Sequence, residues 1–223
     1  MNPVLRSSAA HLFVESLAAA DDPPLTDADA HHLFRVLRVR DGEVVTLSNG
    51  LGAWAPFVVA DRSLRAAGEL VQEGPPRACR IATAIPKGDR LDWMVQKLTE
   101  IGTTEIALVQ FARSVVRWET ERGERQLERL RRIVREAASQ SRRTWLPTLA
   151  EPLPFAQVAQ ASGAVLLDPA GEVGVDDVCS VIIGPEGGFD PRELEHGLSL
   201  RSLGPTVLRI ETAAVVAAAR ILK

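Results

Sequence analysis

Between Glu43 and Ala60, in EVVTLSNGLGAWAPFVVA, apolar and β-branched residues alternate on either side of Asn49, Gly50 and Gly52. A period of two about a turn-forming centre predicts the two strands of a hairpin. Upstream, LTDADAHHLFRVLRVRDGE opens with the capping residues Thr26 and Asp27, which predicts a short helix that breaks at Asp41-Gly42. QEGPPRA, Gln72 to Ala78, has two prolines, a glycine and no period. It predicts a boundary between a small β-rich domain, residues 1–73, and a second domain, residues 78–223.

Past that boundary strands and helices alternate. CRIATAIP predicts a strand; Leu91, Met94, Leu98 and Ile101 then recur at helical spacing up to Gly102; EIALVQF predicts the next strand. Leu127, Leu130, Ile133, Val134, Ala137 and Ala138 form the apolar stripe of a long helix whose other face carries arginines. GAVLLD and SVIIGP are short apolar runs of the kind that form strands buried on both faces. RELEHGLSL predicts a helix, TVLRI a strand and TAAVVAAARILK a closing helix. Strands separated by helices predict an α/β domain on a parallel sheet.

Composition narrows the classes. With 223 residues, 46% hydrophobic and 25% charged, the chain has the material for a packed core, which excludes a disordered protein. The apolar run Ala213–Ala219 is far shorter than the ~20 residues of a membrane span. Arg6, His11 and Glu15 interrupt every apolar run near the N-terminus, so no signal-peptide core is expected and the expected location is cytoplasmic. Cys79 and Cys179 stand 100 positions apart with no CxxC, which predicts two buried thiols and neither disulfide nor zinc. The four histidines lack ligand spacing, so no metal is expected.

The net charge of −3 conceals a division. Arg113 to Trp145 holds ten arginines against five glutamates, a local +5 that leaves −8 for the rest. A basic segment on an acidic body predicts a localised anionic partner.

Three segments carry candidate chemistry. In VIIGPEGGFDPRELE, Val181 to Glu195, a strand ends at Gly184 and a glycine-rich turn follows; a helix then opens with Asp190 as N-cap, Pro191 at its first position and Glu193 completing a capping box. Ligands of parallel α/β sheets bind at the C-terminal strand ends, where loops and helix N-termini offer N–H groups. Spacing alone leaves this loop open between a tight turn and a ligand loop, since it has neither a P-loop lysine nor GxGxxG. LGPTVLRIETAA, Leu203 to Ala214, sets Arg209, Glu211 and Thr212 beyond a Gly-Pro turn, either facing a ligand or forming a surface ion pair. RLRRIVREAASQSRRTWLP, Arg129 to Pro147, places Arg131, Arg132 and Arg135 along one helix face, with Gln140, Ser141, Arg142 and Arg143 after it. That face is either solvated or in contact with phosphate. With no tyrosine, base stacking falls to Trp54, Trp118, Trp145 or a phenylalanine. No serine lies in a GxSxG elbow and neither cysteine has a paired histidine, which excludes acyl transfer by those routes.

Taken in order, these segments resemble the ribosomal RNA small subunit methyltransferase E family of SPOUT (trefoil-knot) methyltransferases. HLFRVLR followed by Asp41-Gly42, KGDRLDWMVQKLTEIGTTEI, RSVV, EAASQSRRTWLP, IGPEGGF and LRIETA each resemble a family segment, and together they cover nearly the whole chain. The resemblance implies a PUA-like RNA-binding β-barrel in residues 1–73 and a knotted parallel-sheet α/β domain in residues 78–223. The second domain would bind S-adenosylmethionine (SAM) and form a homodimer. The implied reaction is methylation of N3 of a uridine in 16S ribosomal RNA of the small subunit.

By the same resemblance SAM would lie against Leu167, Ile183, Gly184, Pro185, Glu186, Gly187, Gly188, Val207, Leu208, Thr212 and Ala213. Arg209 would stabilise charge on the uridine or place it, and Glu211 would orient it or accept its proton, with Glu186 as the alternative carboxylate. RNA contacts would come from His32, Arg35, Arg38, Arg113, Arg131, Arg132, Arg135, Gln140, Arg142 and Arg143. The chain departs from the family at Thr206, where arginine is usual, at Ile210, where threonine is usual, and at Arg142, a frequent glycine. Two rivals stay open: a SPOUT enzyme acting on another RNA base or a ribose 2′-OH, and a catalytically silent RNA-binding assembly protein.

Overall fold

The alternation around Asn49 becomes an antiparallel hairpin in the computed structural model of the protein, which describes residues 2–17, 23, 25–114, 118 and 120–223. The chain forms two units, residues 1–76 with 135–146, and residues 77–134 with 147–223.

The first unit holds α1 (Pro3–Ser7), β1 (Ala10–Phe13), α2 (Asp27–His31), a π-helical turn (His32–Val36), β2 (Val44–Ser48), β3 (Ala53–Ala60), β4 (Ser63–Ala66) and β5 (Val71–Gln72). Among the described residues these strands make one sheet in the order β1-β2-β3-β4, with β5 also on β3. The hairpin turn is built by Asn49, whose Oδ1 accepts from the N–H of Leu51 at 2.8 Å and of Ala53 at 3.2 Å. Thr26 caps α2 through a 3.1 Å hydrogen bond from the Asp29 N–H. Leu12, Leu33, Val45, Leu47, Phe57, Val59 and Leu64 are buried together as its core.

The second unit holds β6 (Arg80–Ala84), α3 (Arg90–Ile101), β7 (Glu105–Gln110), most of α4 (Thr120–Gln140), β8 (Thr148–Leu149), β9 (Leu153–Pro154), α5 (Phe155–Val158), β10 (Ala164–Val173), β11 (Ser180–Ile183), α6 (Pro191–Leu194), β12 (Leu200–Ser202) and α7 (Ile210–Ile221). Its described strands form a parallel sheet in the order β12-β10-β11-β6-β7-β8, with β9 also on β7. Ile81, Ala82, Leu166, Val181 and Ile182 are fully buried, as apolar runs in a sheet covered on both faces should be. α3 and α7 pack on each other, and Leu91, Met94 and Leu98 of the first and Ala214, Ala217 and Ile221 of the second are buried. Among the described residues no helix is long and apolar enough to cross a membrane.

The last strand lies upstream of TVLRI. Residues 203–209 are irregular, and the strand is Leu200–Ser202, which begins at the last residue of the RELEHGLSL segment read as helix. α6 therefore stops at Leu194, and Gly197 turns the chain with φ +71°. Leu200 pairs in parallel with Leu166 of β10, after which Gly204 at φ +144° and Pro205, which has no N–H to donate, take the chain off the sheet. Cys79 is buried, but Cys179 is exposed, because it occupies the turn just ahead of β11 rather than the strand itself.

Residues 135–146 belong to the first unit, whereas the sequence drew one boundary near residue 75. Arg135 donates to the Phe13 carbonyl at 2.8 Å and lies over the Phe13 ring; Arg142 donates to the Ser8 carbonyl at 2.8 Å. The Arg143 carbonyl accepts from His11 Nε2 at 2.8 Å, which leaves His11 Nδ1 to accept from Thr46 Oγ1, also at 2.8 Å. Burial pushes the His11 imidazole down to about 4, so this neutral tautomer persists at pH 7. Arg142 takes φ +58° at the end of α4, with Arg143 N–H on the Ala138 carbonyl (2.9 Å) and Arg142 N–H on that of Ser139 (3.3 Å). This is a Schellman ending, which explains why glycine suits the position. Val115 and Val116 of the RSVV segment, and Arg117 of the basic run, lie outside the described residues.

Candidate functional site

The C-terminal ends of β11 and β12, and the middle of β10 where its register shifts, open into a cavity of about 430 Å³. Leu167 and Asp168 line it from β10, Ile183 from β11, and Arg201 and Ser202 from β12. Gly184, Pro185, Glu186, Gly188 and Phe189 close one side, and Leu203, Thr206, Val207, Leu208, Arg209, Ile210 and Ala213 the other. The two segments singled out by sequence thus meet around a single space, at the strand ends where α/β sheets bind ligands.

The glycine-rich loop is held tightly. A Cβ on Gly184 would lie 3.1 Å from the Phe189 ring, tighter than an ordinary contact, so the ring would have to give by a few tenths of an ångström. Phe189 is buried beside Phe111 and Phe155, with ring centroids at 5.9 and 6.5 Å. Asp190 and Glu193 form the expected capping box. Glu193 is itself buried, and its carboxylate accepts from the N–H of Asp190 and of Ala112, both at 2.8 Å. That second bond ties the loop to the segment leaving β7. Arg113 adds to it by donating to the Gly187 carbonyl at 3.0 Å, with Nε 3.7 Å from Asp190.

On the other side, Arg209 is the N-cap residue of α7 and its side chain is exposed. Glu211 sits in the first turn of α7 and is buried. Its Oε1 lies 3.7 Å from Arg90 Nη1, the same nitrogen that lies 3.5 Å from Glu186 Oε1. Glu211 Oε2 is buried and has no hydrogen-bond partner among the described residues.

Of the residues expected at a cofactor, Leu167, Ile183, Gly184, Pro185, Glu186, Gly188, Val207, Leu208 and Ala213 line the cavity. Gly187 faces Arg113 instead, and Thr212 is exposed on α7. Arg209 lines the cavity, whereas Glu211 lies beside it, joined through Arg90 to Glu186. Sequence reasoning passed over Arg90, Asp168, Phe189 and Arg201. Asp168 and Arg201 had one available signal, their place on or just past an apolar strand run; Arg90 had only its membership of the KGDRLDW segment.

The expected RNA contacts divide between the units. His32, Arg35, Arg38, Arg135, Gln140, Arg142 and Arg143 belong to the first, and Arg113, Arg131 and Arg132 to the second. His32, Arg35, Arg38, Arg113, Arg131, Arg132, Arg135 and Gln140 are exposed; of these Arg113 and Arg135, like the half-buried Arg142, donate to backbone carbonyls. Trp54 is buried, with Nε1 donating to Glu73, so it offers no stacking face; Trp93 is the more exposed tryptophan at 45%. Among the described residues no group of three His, Cys, Asp or Glu side chains is placed to hold a metal ion.

Comparison with known proteins agrees with this geometry. Residues 73–222 match the RNA methyltransferase domain family, and residues 25–66 the RNA methyltransferase PUA domain family. The chain is 34% identical over 230 aligned residues to the ribosomal RNA small subunit methyltransferase E of Mycobacterium bovis, covering 92% of this chain and 88% of that one. The Bacillus subtilis protein of the same name is 30% identical, with 88% of each covered. Among solved structures, a Legionella pneumophila methyltransferase in complex with bound SAM superposes with a TM-score of 0.79 at 28% identity, over 93% of this chain and 94% of that one. The ribosomal RNA small subunit methyltransferase E of Neisseria gonorrhoeae, bound to SAM, gives 0.77 at 27% identity, over 94% and 95%.

Proposed function

The chain belongs to the ribosomal RNA small subunit methyltransferase E family, a SPOUT-type α/β domain preceded by a PUA domain, and on that premise we propose that it uses SAM to methylate N3 of a uridine in 16S ribosomal RNA. The observation that carries this reading is the convergence of the 184–189 loop and the Val207–Arg209 segment on one cavity.

The cavity suits SAM. Its volume falls in the roughly 300–1,000 Å³ range of small-molecule sites. Leu167, Ile183, Val207 and Leu208 offer apolar walls for an adenine, and the main chain around Gly184 and Gly188 offers polar groups without side chains in the way. When bound, SAM supplies an electrophilic methyl group on a sulfonium. The protein's contribution is then positioning, proton handling and charge stabilisation. Loss of the N3 proton leaves negative charge on O2 and O4 of the base, and Arg209 is the exposed cation at the cavity for that charge. Glu211 is the carboxylate proposed to accept the proton. The exposed arginines of both units serve the RNA. A homodimer through the second unit and a cytoplasmic location complete the proposal.

Nucleoside mass spectrometry of small subunits lacking the modification, after incubation with protein and SAM, tests it. The expected result is a gain of 3-methyluridine, slowed on the order of 10²-fold by Arg209→Ala. Methyl gain on another nucleoside would move the product while keeping the cofactor. No gain and no SAM binding would overturn the proposal.

A further inference from the structure

Arg90 stands at the first position of α3, where a cation opposes the positive end of the helix dipole. A residue that breaks a local rule in this way is usually answered by something outside its own helix. Here the answer is two carboxylates that sequence places 96 and 121 positions away: Glu186 of the glycine-rich loop at 3.5 Å and Glu211 of α7 at 3.7 Å. A further bond from Nε to the Lys87 carbonyl, 3.2 Å, anchors the guanidinium. The two partners differ in kind. Glu186 is open to solvent, with a side chain 63% exposed, and the Glu211 side chain is 9% exposed. Solvent screens the first pair far more than the second. Because Arg90 approaches Oε1 of Glu211, Oε2 is left buried and without a hydrogen-bond partner among the described residues. Buried carboxylate oxygens rarely go unpaired, and doing so is costly.

We propose that Arg90 is a positioning residue of this site: it fastens Glu186 and Glu211 together and orients Glu211 so that Oε2 accepts a hydrogen bond from an N–H donor of a bound ligand. That donor is either the ammonium group of SAM or the imide of the target base. The inference rests on the methyltransferase reading and adds to it a residue and a direction; the imide case keeps Glu211 as proton acceptor, and the ammonium case replaces that role with binding of SAM.

The test compares the parent protein with Arg90→Gln, Arg90→Lys and Glu211→Gln. Calorimetry reads binding of SAM and of 5′-methylthioadenosine, which lacks the amino-acid portion; single-turnover methylation of small subunits reads the chemical step; thermal melting confirms folding. If Oε2 takes the ammonium, Arg90→Gln and Glu211→Gln weaken SAM about tenfold or more and leave methylthioadenosine unchanged. If it takes the imide, both ligands bind as in the parent while the methylation rate falls about tenfold or more. In either case Arg90→Lys restores most of the loss, which a merely structural role would not predict. A folded Arg90→Gln protein with parental affinity and rate would overturn the inference alone. Equal loss of both ligands, unrescued by lysine, would also overturn it. A parent protein that binds no SAM would overturn the functional reading, and this inference with it.

Discussion

Phe189 packs against Gly184 so closely that a single added methyl group on residue 184 would stand 3.1 Å from the ring. The contact joins the end of β11 to the far end of the glycine-rich loop, and so sets the shape of one side of the cavity. Gly184→Ala should therefore destabilise the protein by about 1–3 kcal/mol through overpacking. It should also weaken SAM binding, because the loop must move to admit the methyl group. Phe189→Leu in the same chain should recover part of both losses, a non-additivity that chemical denaturation and calorimetry would register.

Arg142 ends α4 in a left-handed conformation that costs a side-chain-bearing residue roughly 1 kcal/mol relative to glycine. Arg142→Gly and Arg142→Ala both lose the bond to the Ser8 carbonyl, so their difference isolates the backbone. The glycine variant should be the more stable of the two by about 1 kcal/mol in urea unfolding. Equal stabilities would show that the Schellman ending is unstrained.

His11 gives the first unit a defined response to acid. Its folded value, about 4, lies below the ordinary 6.5, so between those pH values the unfolded chain binds more protons than the folded one. The contribution is complete above pH 6.5 and is lost as pH falls toward 4. Between pH 7 and pH 5 the parent should lose on the order of 2 kcal/mol from this residue. His11→Gln keeps a donor near the Arg143 carbonyl and removes the titration; its stability should fall less over that interval, as read from urea midpoints at the two pH values.

The arginines of the basic run should separate by experiment. Arg131, Arg132 and Arg135 are all exposed on α4, and Arg135 also donates to the Phe13 carbonyl and lies over its ring. Replacing Arg131 and Arg132 with alanine should lower the slope of log affinity for ribosomal RNA against log salt by about 1 for each phosphate they neutralise. Arg135→Ala should leave that slope alone and cost about 1–2 kcal/mol of stability instead. An unchanged slope in the double variant would mark these two arginines as a solvated face.

Much of this protein is written in local pattern. Period-two alternation around Asn49 produced the hairpin, helical spacing from Leu91 to Leu98 produced α3, and the Asp190-Pro191-Glu193 start produced its capping box. Each depends on residues within a few positions of one another, where backbone geometry and side-chain reach leave few options. The glycine loop was legible for the same reason. What the sequence by itself did not determine depends on sheet order. The parallel strands bring Arg90, Glu186 and Glu211 to one point from three separate helix and loop starts, and no spacing rule connects them. Pairing with β10 decided that Leu200–Ser202 is the strand and Thr206–Arg209 the cavity wall, against the β-branched composition of the latter. Hydrogen bonds from Arg135, Arg142 and His11 drew residues 135–146 into the first unit. Local propensity is settled by neighbours in sequence, while partners are settled by which surfaces must be buried together, and only the tertiary structure supplies those.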